Sequence, residues 1–111
     1  MTIDVEEWFQ VENLRSHFPP ETWERAERRL DFSMQRIFDT LESEKVAGAT
    51  FFVLGWIAER SPDWVRRMVD AGYEVASHGM DHVSNFDQTA EQRAWNLSQS
   101  KNFWKRFPAR R

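Results

Sequence analysis

Cysteine is absent from the 111 residues. Neither a disulfide nor a thiolate nucleophile is therefore available, and ligands for a metal have to come from histidine and carboxylate. Histidine is scarce too, at three residues. An excess of positive charge is also missing: 15 Lys and Arg stand against 18 Asp and Glu. That balance gives no basic face for a nucleic acid. No apolar run approaches the roughly 20 residues of a membrane helix. No internal repeat or low-complexity segment interrupts the chain. Only Met1, Thr2 and Ile3 precede Asp4, which leaves no room for a signal peptide. As written, the chain is expected to be cytoplasmic, unless its true N-terminus lies upstream.

What is present is ordinary for a globular protein, with 41% hydrophobic and 30% charged residues. The length suits one small domain with a modest core. Aromatic residues are plentiful at 14%, including six Trp and nine Phe. They fit either a bulky core or a cleft lined by Trp for carbohydrate, and composition favours the core.

The chain alternates between strand and helix signals. Met1-Thr2-Ile3-Asp4-Val5-Glu6 places Ile3 and Val5 on one side of a strand and Asp4 and Glu6 on the other. An irregular stretch reaches Pro19-Pro20, which marks a loop. Leu30, Met34, Ile37, Phe38 and Leu41 form an apolar helical stripe, closed after a polar run by Gly48. Ala49 to Leu54 is apolar and β-branched, as in a strand buried on both faces. Ser61-Pro62-Asp63 predicts a helix start with a capping hydroxyl, and Gly72 its left-handed terminator. Tyr73 to Ala76 is a third strand. Thr89 and Gln92 form a capping box for a last helix, with Ala90, Ala94, Leu97 and Trp104 near one face. The order is an α/β pattern of about three parallel strands with right-handed crossover helices. Three strands do not close a barrel, and a full (β/α) barrel needs about 250 residues.

In such folds the C-terminal ends of the strands share one rim, and active sites form there. Asp4 and Glu6 end the first strand, while His78 and His82 follow the third. Two imidazoles and a carboxylate with open positions for water make a recognised catalytic zinc set, leaving the second carboxylate as a base. Alone, neither motif is specific. A His-x-x-x-His spacing is more often a helix-surface coincidence, although Gly79 disfavours a regular helix, and an Asp-x-Glu pair is usually a solvated face. Asp81 reads as a loop-capping group rather than a ligand. His17 reads as surface. Trp8 and Phe9 suit the core and a sugar border equally. The joint placement of four residues on one rim favours a metal.

Three stretches resemble the polysaccharide deacetylase family, the NodB-homology fold of carbohydrate esterases. They are Thr2 to Phe9, Ala49 to Gly55, and Ala71 to His82. The first is most similar to the exosortase-linked branch, which reads Asp-Val-Glu before an aromatic pair. The resemblance runs from residue 2 to about residue 100. It implies a partial (β/α) barrel, with residues 1–111 as the N-terminal, truncated portion of the domain. It also implies a divalent metal, zinc, and a polysaccharide or oligosaccharide substrate that loses N-acetyl groups from amino sugars. Carried over by position, Asp4 is the catalytic base and His78 and His82 are metal ligands. Most of the family has two adjacent acids; Val5 holds the second place here, so Glu6 is the candidate third ligand. Glu7 would point to the opposite side. The family's later Arg-Pro strand motif and late His find no counterpart, and Phe107-Pro108-Ala109-Arg110-Arg111 is not matched to them. The literal chain is therefore also readable as a metal-binding or association-prone fragment without turnover. An amidohydrolase acting on a small amide is a third reading.

Overall fold

A computed structural model describes residues 1–107; residues 108–111, and with them most of the unmatched Pro-Arg segment, lie outside the described residues. Three strands, β1 (Thr2–Val5), β2 (Thr50–Val53) and β3 (Glu74–Ser77), pair in parallel in the order β1-β2-β3. Four helices accompany them: α1 (Leu30–Ser43), α2 (Gly55–Arg60), α3 (Pro62–Asp70) and α4 (Ala90–Trp104). The expected alternation holds, with one element added. The chain turns straight from β2 into α2, and α2 is followed at once by α3.

The pleat decides which side chains make the core. Val5, Phe51 and Val53 are fully buried beneath Leu30, Met34, Phe38 and Leu41 of α1, Ile57 of α2, and Val65 and Met68 of α3. Phe52 points the other way and is only half-buried. β2 is therefore not covered equally on both faces as its apolar run predicts: the helices close over one face, and the other carries Asp4 and Phe52 in register.

The helix ends depart from expectation in two places. α1 stops before Gly48. Lys45 adopts φ 51°, and the amides of Lys45 and Val46 donate to the carbonyls of Glu42 and Leu41. This is a Schellman closure with a lysine where glycine is cheapest. At α3 the Ser61 hydroxyl does not cap the helix; it accepts a hydrogen bond from Arg28 Nη2 at 2.6 Å. Gly72 does terminate α3, with φ 82°, and the Thr89–Gln92 capping box is complete.

The face of α4 is also different. Ala90, Ala94 and Leu97 are exposed, Leu97 by 67%. The inward stripe runs through Asn96, Ser100 and Phe103 instead, and Trp104 is half-buried beside it. Polar contacts set this rotation: the Ser100 and Ser77 hydroxyls are hydrogen-bonded, and Trp104 Nε1 donates to Ser100 Oγ at 3.1 Å.

Most of the aromatic residues serve packing. Phe9 and Trp23 are buried; their ring centroids lie 6.1 Å apart and stand 5.9 and 5.7 Å from that of Trp56. Trp8 is half-buried, its Nε1 donating to the Glu27 carbonyl at 2.9 Å. The even choice left for Trp8 and Phe9 thus resolves to the core for Phe9 and its margin for Trp8.

Candidate metal centre

Parallel pairing in register brings Val5, Val53 and Ser77 level at one rim. The next residue on the first strand is Glu6 and on the third is His78. β1 and β3 are separated by β2, so their backbones stand about 9–10 Å apart. A side chain from β1 must cross the middle strand to meet one from β3. Glu6 does so: its Oε2 lies 3.2 Å from His82 Nε2 and 4.0 Å from His78 Nε2. The extra methylene of Glu over Asp supplies that reach.

Glu6, His78 and His82 together offer three ligand atoms within 4.8 Å of one another, and all three residues are half-buried. The two imidazole centroids are 5.2 Å apart. Glu6 Oε2 and His78 Nε2 are buried and have no hydrogen-bond partner, as has His82 Nδ1. The 3.2 Å approach of Glu6 to His82 is therefore close without being aligned as a hydrogen bond. Buried polar atoms left unpaired are costly, and two of them, Glu6 Oε2 and His78 Nε2, face each other at 4.0 Å. Ligand atoms about 2.0–2.2 Å from a tetrahedral zinc stand some 3.3–3.6 Å apart, so a small contraction makes this donor set fit a divalent metal.

The two histidines lie on a loop, not on a helix. Gly79 has φ 82° and His82 φ 57°. A left-handed histidine costs about 1–2 kcal/mol, so other contacts must hold the loop. The His78 amide donates to the Val53 carbonyl at 3.0 Å, and the amides of Gly55 and Trp56 donate to the carbonyls of Gly79 and Met80 at 2.8 and 2.9 Å. Asn96 accepts from the Met80 amide at 3.0 Å and donates to Asp81 Oδ1 at 3.1 Å. Arg15 Nη2 donates to the His82 carbonyl. Asp81 thus anchors the loop, as its position between the histidines predicts.

Asp4 lies apart from the trio. It is exposed, on the same pleat side as Glu6 and beside Phe52. His17 is exposed, its Nδ1 3.1 Å from Ser16 Oγ. A cavity of about 700 Å³ opens beside His78 and His82, bordered by Phe52, Asn96, Leu97 and Arg93. None of its lining residues is Trp, so the tryptophans do not form a sugar cleft there.

Sequence reasoning missed the contacts made by Glu7, Arg15, Gly55 and Asn96. Glu7 does face away from the trio, and it is 1% exposed. It receives the amides of Arg29 and Leu30 at 3.0 and 3.1 Å and pairs with Arg28 at 3.4 Å, so it caps α1 from a distance. Gly55 lies under the loop from His78 to His82: a Cβ there would stand 2.7 Å from Met80 Cε and 3.2 Å from Met80 Cα. The tight glycine was visible as part of a motif. The partners of Glu7, Arg15 and Asn96 are distant in sequence and left no local signal.

Comparison with known proteins identifies relatives of the chain. A chitooligosaccharide deacetylase of Bradyrhizobium sp. (strain ANU 289) is 43% identical over 51 residues, which is 46% of this chain and 23% of the relative. A peptidoglycan-N-acetylglucosamine deacetylase of Bacillus cereus is 28% identical over 72 residues, 65% of this chain and 33% of the relative. The chain thus spans a third or less of the length of these curated relatives. A solved structure assigned as a polysaccharide deacetylase from Mycobacterium smegmatis superposes with a TM-score of 0.71 and 25% identity, covering 96% of this chain and 37% of that one. The family model for polysaccharide deacetylase matches residues 24–107, and the chain belongs to the polysaccharide deacetylase family of hydrolases.

Proposed function

We propose that the chain forms the N-terminal, metal-binding portion of a domain that hydrolyses N-acetyl groups from amino sugars of a polysaccharide or oligosaccharide. The observation that carries this reading is the convergence of ligand atoms of Glu6, His78 and His82 within 4.8 Å of one another, with Glu6 Oε2 and His78 Nε2 buried and unpartnered. The relatives named for chitooligosaccharide and peptidoglycan deacetylation support the substrate class. The opening Asp-Val-Glu pattern, similar to the exosortase-linked branch, supports Glu6 as the third ligand.

In this reading Glu6 Oε2 and one nitrogen each of His78 and His82 hold a divalent metal, zinc by the preference of nitrogen and oxygen donors. When bound, the metal supplies a Lewis acid for the acetyl carbonyl and for water. Asp4 is the base. Its carboxylate takes one proton from the water whose oxygen attacks the carbonyl carbon; the C–N bond then breaks to give acetate and the amine. Asp4 is suited to this because it shares a pleat side with Glu6 yet lies outside the ligand trio. The amine must also receive a proton. Both histidines of the rim are committed as ligands and His17 is exposed beside Ser16, so we expect the 111-residue chain to bind metal without efficient turnover.

Zinc and cobalt content of the purified chain tests the reading, beside a variant carrying both His78→Ala and His82→Ala. About one metal per chain, lost in the variant, is expected. Soluble, folded chain that takes up neither metal would remove the assignment of the three ligands.

A further inference from the structure

We infer that Arg15 is a positioning residue for the metal ligand His82. The inference rests on the metal reading of Glu6, His78 and His82, and it adds a residue from outside the strand-end motifs.

The loop from His78 to Asp81 is held by the Val53 carbonyl, by the amides of Gly55 and Trp56, and by Asn96. Those contacts stop one residue short of the second ligand. His82 sits at φ 57°, in a conformation that a side chain disfavours by about 1–2 kcal/mol. Among the described residues, the hydrogen bond at the His82 backbone comes from Arg15 Nη2 to its carbonyl. Arg15 lies 67 positions earlier in the chain. It follows the short 3-10 turn Glu12–Leu14, where its own amide donates to the Glu12 carbonyl at 3.1 Å. Its Nε stands 3.5 Å from Glu12 Oε2 in the same turn, and its side chain is 27% exposed.

This arrangement fixes the guanidinium at its near end and lets its far end clamp the carbonyl. A fork of this kind loses less freedom per bond than a lysine would. The direction of the His82 ring follows from the backbone of His82. Releasing the carbonyl lets φ relax toward negative values and swings the ring away from Glu6 Oε2. Groups that orient metal ligands in this way change metal affinity by about 10- to 100-fold when removed.

The test uses the 111-residue chain and zinc itself, titrated against a chromophoric chelator, with nuclear magnetic resonance of the metal-free chain alongside. The unsubstituted chain should bind zinc and His78→Ala should not. Arg15→Ala should lose about 10- to 100-fold in affinity, and Arg15→Lys, which keeps a cationic donor, should recover part of it. Without metal, Arg15→Ala should shift the amide and ring resonances of His82 while those of Val53 and Met68 stay in place. Unchanged affinity in Arg15→Ala beside a zinc-binding parent would overturn the role of Arg15 and leave the metal centre standing. An equal shift of the core resonances would overturn it as well, since Arg15 would then be a general tether. A chain that binds no zinc, with or without His78, would overturn the metal reading and this inference with it.

Discussion

Gly55→Ala sets two effects of opposite sign against each other. Gly55 is the first residue of α2, and alanine in a helix interior is favoured over glycine by about 0.8–1.0 kcal/mol. At a first helical position that gain is smaller. Against it stands the loop from His78 to His82. The new Cβ would collide with the thioether of Met80, with Cε at 2.7 Å, and would meet Met80 Cα at 3.2 Å. The thioether can swing aside, since methionine is adaptable. The Cα cannot, because the Gly55 and Trp56 amides tie that stretch of backbone down. Overpacking of this kind costs about 1–3 kcal/mol, so the clash wins. The net loss should be about 1–2 kcal/mol, or several degrees in Tm for a domain near this size. Because the displaced backbone lies between His78 and His82, zinc affinity should fall too. Urea unfolding of the metal-free chain reads the first effect and zinc titration the second. Adding Met80→Ala separates the causes: it should restore the share due to the thioether and leave the share due to the backbone. A Gly55→Ala chain as stable as its parent and equally avid for zinc would refute the claim that α2 and the His78–His82 loop are packed against each other at this glycine.

Four further outcomes are expected. Glu7→Gln keeps the shape of the buried side chain but removes the charge that meets two amides and Arg28; a loss of about 2–3 kcal/mol in urea unfolding is expected, and stability unchanged from the parent would argue that Glu7 does not cap α1. Lys45→Gly should stabilise the chain by up to about 1 kcal/mol, since it relieves a left-handed lysine at φ 51°; a lower Tm would count against strain at that turn. In a full-length version of the domain, Asp4→Asn should cut deacetylation about 10²- to 10⁴-fold with metal content unchanged, and full activity on chito-oligosaccharide would remove Asp4 from the role of base. The Arg60 guanidinium hydrogen-bonded to Glu24 holds that carboxyl below its ordinary range. The pair therefore contributes above the unfolded carboxylate's pKa and loses its contribution as pH falls through the lowered folded value; Glu24→Gln should flatten that acid slope in thermal melts, and an unaltered slope would show that the pair adds nothing.

Much of the architecture was legible because its signals are local. The strand at Thr50–Val53 and the helix through Leu30, Met34, Phe38 and Leu41 follow from the period of their apolar residues. The capping box at Thr89 and the terminator at Gly72 follow from short-range backbone chemistry. Where the reading failed, a distant partner had intervened. Ser61 was taken from its cap by Arg28. α4 was turned by the bonds of its Ser100 to Ser77 and of its Asn96 to the Met80 amide, so that Leu97 faces outward despite its hydrophobicity. Gly48 was passed over because Lys45 had already closed α1.

The division at the site is of the same kind. By itself, the sequence placed Asp4, Glu6, His78 and His82 together on a common rim, since strand direction and alternation need no knowledge of the partners. Only the tertiary structure decided that Glu6 reaches across β2 to both imidazoles while Asp4 stays outside the trio. Only the structure, too, brought Arg15, Gly55 and Asn96 to the loop from His78 to His82. Those contacts depend on register, on the left-handed turn at His82, and on packing between segments far apart in the chain. Such distances are set when the elements pack together, and no local pattern of residues encodes them.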